Sequence, residues 1–194
     1  MYKKQMRFQK VFCFIALFAS VLVFIYSLGI MTDLYDTLYT TMMDPNNIDE
    51  TWVPGSQVYY HMQGFNKSLL ACSIVMIILA VLLFITNTDK RRKYYIANYV
   101  STGLFSVFTL GLSFWAHANI QAYRAEWKAL DFAALKDFSE MFKTTYTEST
   151  FWFDIHYLVF GISVIAVVLL VFNVYWKICL MKEEKRLVEG GKTA

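Results

Sequence analysis

No aspartate, glutamate, lysine, arginine or histidine falls in the middle of any of the four long apolar runs of this 194-residue chain. That absence excludes the buried ionisable residues on which ion-coupled transport, proton relays and voltage sensing depend. The two prolines, Pro45 and Pro54, lie outside those runs, so the broken-helix pattern that builds a midplane substrate site is missing as well. The three cysteines, Cys13, Cys72 and Cys179, form no CxxC pair, and none falls in segments 32–67 or 117–150. A disulfide framework in those segments is excluded. Charged residues make up 17% of the chain against 57% apolar ones, too few to cover a soluble globule of this length. There is no phosphate-binding loop, no GxSxG and no HExxH.

What is present organises itself around residues 68–116. Two apolar runs, 68–88 and 94–116, flank the short knot Asp89-Lys90-Arg91-Arg92-Lys93. Each run is about 20 residues, enough at about 1.5 Å per residue to cross a hydrocarbon core of about 30 Å. The knot is too short to hold a domain, so the runs pair as an antiparallel hairpin. Lys90, Arg91, Arg92 and Lys93 in so short a loop are topogenic and mark its side as cytoplasmic. Lys3, Lys4, Arg7 and Lys10 precede a further run at 8–31. Lys177, Lys182, Lys185, Arg186 and Lys192 follow the last run, 151–177. These clusters place both termini on the same cytoplasmic side. The first run is longer than the h-region of a cleaved signal, so it is expected to remain as a span.

The expected fold is therefore an all-α integral membrane protein of the cell (plasma) membrane. A single four-helix domain covers 1–194, with spans 8–31, 68–88, 94–116 and 151–177. The inner loop is 89–93, the inner tail is 178–194, and segments 32–67 and 117–150 are outside. Ile30, Leu34, Leu38 and Met42 recur every four residues, so the first helix continues outward until Pro45-Asn46-Asn47. Residues 48–66, with Pro54-Gly55 and the aromatics Trp52, Tyr59, Tyr60 and Phe65, read as an ordered loop at headgroup level. The third helix continues through Asn119, Tyr123 and Trp127, and an amphipathic stretch follows at 130–142. The two outer segments are expected to form a helical extracytoplasmic cap. Ser101, Gly103, Ser106, Gly111 and Ser113 offer small surfaces for close helix approach. Asn98 and Asn173 are read as interhelical hydrogen bonds, and Trp152 and Trp176 as an interfacial pair around the fourth span. Asn66-Lys67-Ser68 matches a glycosylation acceptor, but it abuts a span and is read as coincidence.

Two groups of residues carry candidate chemistry. His61, His117 and His156 all fall on the outer side, with Asp154 two residues before His156. Imidazoles at one depth suit a metal or haem site. No HxxxH, ExxH or HxH spacing supports it, and Asp154 and His156 lie about 200° apart on an unbroken helix. No cofactor is expected. The acids Asp33, Asp36, Asp44, Asp49 and Glu50 lack the order of a calcium loop and read as a solvated face.

The expected function is non-catalytic: a membrane accessory or scaffold subunit that binds a larger membrane protein, such as a transporter, or a second copy of itself. Tyr35, Tyr39, Trp52, Tyr59 and Trp127 are the candidate partner contacts on the outer side. The bilayer is the other partner, and nothing points to nucleic acid. The alternatives are an oligomeric transporter or channel, and a haem or metal redox protein using the outer histidines.

Overall fold

The computed structural model describes residues 2–39, 56–88, 95–142 and 148–190, and among them every regular element is helical. The elements are α1 (Tyr2–Tyr39), α2 (Ser56–Thr88), α3 (Tyr95–Lys128), α4 (Phe132–Phe142), α5 (Phe151–Asp154) and α6 (His156–Gly190). Four stretches are long and apolar enough to cross a membrane: Lys3–Met31, His61–Asn87, Ile96–Lys128 and Phe151–Glu189. The long helices pack together and leave many large apolar side chains outward. Phe14, Phe18 and Ile25 of α1, Ile78 and Ile85 of α2, Val107 and Phe114 of α3, and Ile165 and Phe172 of α6 are all exposed. The interior takes the small hydroxyl residues Ser20, Ser27, Ser73, Thr102, Ser106, Thr109, Ser113 and Ser163. Apolar side chains on the outside suit a lipid solvent, where apolar surface is not penalised, and small hydroxyl residues inside suit close backbone approach.

Several boundaries differ from the sequence expectation. The helix of the second span begins at Ser56, so residues 56–66 are helical rather than loop. Val58, Met62, Phe65 and Leu69 are all buried at three- and four-residue steps, and that packing outweighs the turn signal of the preceding Pro54-Gly55. Asn66 is buried there too, which leaves no room for a sugar. Gly103 and Gly111 do not mediate close approach within the bundle: both are exposed, and a Cβ on either would meet nothing within 4 Å. The expected outward continuations are helical in α1 as far as Tyr39 and in α3 as far as Lys128, and α6 runs without interruption to Gly190. The amphipathic stretch forms α4, whose first amides, Ala133 and Ala134, donate to Asp131 Oδ1 at 3.1 and 3.2 Å.

The chain divides into two compact units, each assembled from parts of all four long helices. The first comprises Met1–Val21, Val75–Gly111 and Ile162–Ala194. It holds a buried amide cluster. Gln5 Nε2 donates to Gln9 Oε1 at 3.0 Å and to Asn173 Oδ1 at 3.1 Å. Gln9 Nε2 donates to Asn87 Oδ1 at 3.2 Å and to the Asn87 carbonyl, and Asn87 Nδ2 donates to Leu83 O at 2.8 Å. Asn173 thus makes the expected interhelical bond. Asn98 is buried, and its carbonyl accepts from Ser101 Oγ at 3.1 Å. Lys177 is also buried, its ammonium lying 5.7 Å from the Tyr99 ring centroid. The cluster ties α1 to α2 and α6 through bonds each worth on the order of 0.6 kcal/mol in a membrane protein.

The second unit comprises Leu22–Ile74 and Leu112–Gly161. At its centre Trp127 is 1% exposed, with its ring 5.7 Å from Phe132 and 5.9 Å from Phe153. Gly29 accommodates Trp152, whose ring occupies the space a side chain at Gly29 would need. Phe65 stacks between Trp115 at 5.1 Å and Tyr123 at 5.6 Å.

Candidate functional site

The most polar interior region of the second unit surrounds a break in the fourth span. The sequence predicts one continuous helix from Phe151; the structure interrupts it at Ile155, between α5 and α6. Two backbone carbonyls at the break are taken by side chains. Tyr26 Oη donates to Trp152 O at 3.0 Å, and His156 Nδ1 donates to Phe153 O. The ladder resumes when Leu158 and Val159 donate to Ile155 O at 3.0 and 3.2 Å. A carbonyl capped by a side chain is a recognised cause of such interruptions, and here the caps come from α1 and from α6 itself.

Along α3, His117, Gln121 and Arg124 lie at four- and three-residue spacing and so share one face. Each meets a residue at or beside the break. His117 Nδ1 lies 3.0 Å from His156 Nε2, Gln121 Nε2 donates to Tyr157 Oη at 2.8 Å, and Arg124 Nη2 pairs with Asp154 Oδ1 at 2.5 Å. Thr150 Oγ1 holds the other Asp154 oxygen at 2.7 Å. The tautomers follow from these partners. His156 gives its Nδ1–H to the Phe153 carbonyl, so its Nε2 carries the lone pair and accepts Nδ1–H from His117. His156 is 1% exposed, so both of its ring bonds replace water. A proton path through this pair would end at an amide carbonyl, which cannot take up a proton. Asp154, turned to Arg124 and Thr150, bonds to neither imidazole in this set.

The three histidines are not gathered. His61 Nδ1 faces Glu126 Oε2 at 3.6 Å, and its carbonyl accepts from Tyr123 Oη at 3.2 Å. Two imidazole nitrogens on one tetrahedral ion, at about 2.0–2.1 Å per ligand, stand about 3.3 Å apart. The 3.0 Å between His117 and His156 is a hydrogen bond instead. Among the described residues no group of three or more His, Cys, Asp or Glu side chains is arranged to hold a metal ion.

Of the other candidate residues, Tyr35 and Tyr39 fall on the last turns of α1 and Tyr59 on the first turn of α2. Trp127 is no surface contact: its ring is buried between Phe132 and Phe153. Trp52 and the basic knot Lys90, Arg91, Arg92 and Lys93 lie outside the described residues. The seam partners Gln121 and Arg124 escaped the sequence reading, although their i, i+4, i+7 spacing with His117 is visible in it. Their counterparts come from another helix, which periodicity within one helix cannot reveal.

The break makes a further expectation testable. His156→Phe removes both the donor to Phe153 O and the acceptor for His117 Nδ1–H, and costs about 2 kcal/mol. His117→Phe removes only one bond from the buried ring and costs about 1 kcal/mol. Equilibrium unfolding in mixed detergent micelles, followed by circular dichroism, measures both. Equal losses would contradict the assignment of two bonds to the His156 ring and one to His117.

The fold and its site define an all-α protein with four helices long and apolar enough to span a membrane. Set against protein-family models, curated proteins and solved structures, the chain matches none.

Proposed function

We propose that this protein is a non-catalytic accessory or scaffold subunit that docks on a larger integral membrane protein through the outward face of α3. The observation that carries the reading is that face. Gly103, Val107 and Gly111 follow one another at four-residue spacing, all exposed, and a Cβ on either glycine would meet nothing within 4 Å. Ile96, Val100 and Leu104 flank them as exposed apolar residues. A strip with glycine at both ends lets a foreign helix backbone approach closely, the geometry on which helix association in lipid depends. The polar seam supports a structural role, because its histidines hold the helix break and its carboxylate is paired with Arg124.

In the same proposal the chain lies in the cell membrane with both termini cytoplasmic, and segments 32–67 and 117–150 form an outer cap. The basic residues in the first turns of α1 and after Trp176 support that orientation. Tyr35, Tyr39, Trp52 and Tyr59 are the outer-side contacts in this arrangement.

The test is purification from native membranes in mild detergent, with mass spectrometry of what accompanies the chain. A stoichiometric membrane protein is expected with the natural sequence. The double variant Gly103→Leu, Gly111→Leu should lose it while keeping its own helicity, because both positions are open. A quantitatively monomeric natural chain would overturn the reading. Ion flux through reconstituted liposomes would favour the oligomeric channel instead, and a Soret band abolished by His117→Ala would favour the redox alternative.

A further inference from the structure

Within the first unit an open groove of about 390 Å³ runs between α1 and α6. Its walls are Phe8 and Phe12 from α1 and Phe172, Tyr175, Trp176 and Cys179 from α6, with Lys4 at one end. The aromatic rings make a continuous surface: Phe8 lies 5.9 Å from Trp176 and 5.9 Å from Phe12, and Phe172 lies 6.5 Å from Trp176. Phe8, Phe172 and Tyr175 remain substantially exposed. The groove is thus apolar along its length and cationic at one point, and its volume falls within the range of small-ligand sites, about 300–1,000 Å³.

We infer that this groove is a binding site for one anionic glycerophospholipid, with an acyl chain along the aromatic wall and the phosphate on Lys4. Charge selects the occupant. Lys4 is exposed, with Lys3 and Arg7 exposed on the same turns of α1 and Lys182 and Lys185 exposed on the continuation of α6. Glu183, Glu184 and Glu189 are the acids on the same stretch of α6, Glu189 pairing with Lys185 at 3.7 Å, and none lies among the groove's lining residues. A zwitterionic lipid offers the same chain but carries its own cation, so it gains little from Lys4. An anionic headgroup gains the attraction that basic residues near a membrane surface supply. Trp176 and Tyr175 are suited to such a place, since their rings bridge chain and headgroup levels. The assignment is independent of the α3 face.

The experiment uses the full chain reconstituted in nanodiscs of equal parts phosphatidylglycerol and phosphatidylcholine, then extracted in mild detergent. Retained lipid is quantified by mass spectrometry. The natural chain is expected to keep about one phosphatidylglycerol per protein in preference to phosphatidylcholine. Lys4→Gln should lower that preference about fivefold, the factor that one basic residue near an anionic surface supplies. Lys3→Gln, a neighbour that does not line the groove, should lower it less. Cys179→Trp, which fills the groove and leaves Lys4 in place, should abolish retention. Lys4 is exposed, so its variant folds and the comparison stands. Equal retention of the two lipids by the natural chain overturns the proposal. Equal losses in Lys3→Gln and Lys4→Gln overturn it too, since they would assign the preference to the basic end in general. An acyl group covalently attached at Cys179 and released by hydroxylamine would replace the free lipid with a modification.

Discussion

Trp127→Ala lowers the stability of the protein by about 3–5 kcal/mol. The ring is 1% exposed and stands at the meeting of α3, α4 and α5, against Phe132 and Phe153. Removing it takes away both its buried area and the support for Phe153, and the helices around it cannot close the gap without moving Phe132. Trp127→Phe keeps most of the contact and costs less. The change is read in detergent–denaturant unfolding, followed by circular dichroism. A Trp127→Ala loss below about 1 kcal/mol would show that the ring does not organise this unit.

The second large effect is a sign reversal between glycines. A Cβ at Gly29 would lie 2.1 Å from Trp152 Cη2 and 2.4 Å from its Cζ3. The Trp152 ring has little freedom to yield, because it lies 6.3 Å from that of Tyr26 and 5.4 Å from that of Phe151. Gly29→Ala therefore costs about 1–3 kcal/mol through overpacking. Gly103→Ala meets open space and gains about 0.5–1 kcal/mol from the better helix former. The same unfolding assay on both variants decides the matter, and two changes of the same sign would contradict the packing described.

Sequence patterns that lie within one helix proved readable. Charge-free runs of span length announced all four long helices, and the spacing of Ile30, Leu34 and Leu38 announced the extension of α1. The helical start at Ser56 was masked by Pro54-Gly55 and by aromatics taken for a headgroup belt, although Val58, Met62, Phe65 and Leu69 already showed the period. In α3 the glycines and serines alike offer small surfaces in the sequence. The structure separates them by about a third of a turn, with hydroxyls inward and glycines outward.

By itself, then, the sequence determined the class of structure, because helix formation in an apolar run depends on composition, length and local hydrogen bonding. It also determined that catalytic motifs and midspan charges are absent. Only the tertiary structure decided that Gln5, Gln9, Asn87 and Asn173 converge, that Trp127 is core, and that the fourth span breaks where Tyr26 and His156 cap its carbonyls. Those outcomes depend on which face of each helix meets which neighbour. Such choices come from side chains far apart in the chain, and in lipid they follow from close packing and hydrogen bonds rather than from a polar–apolar division that a single helix would display.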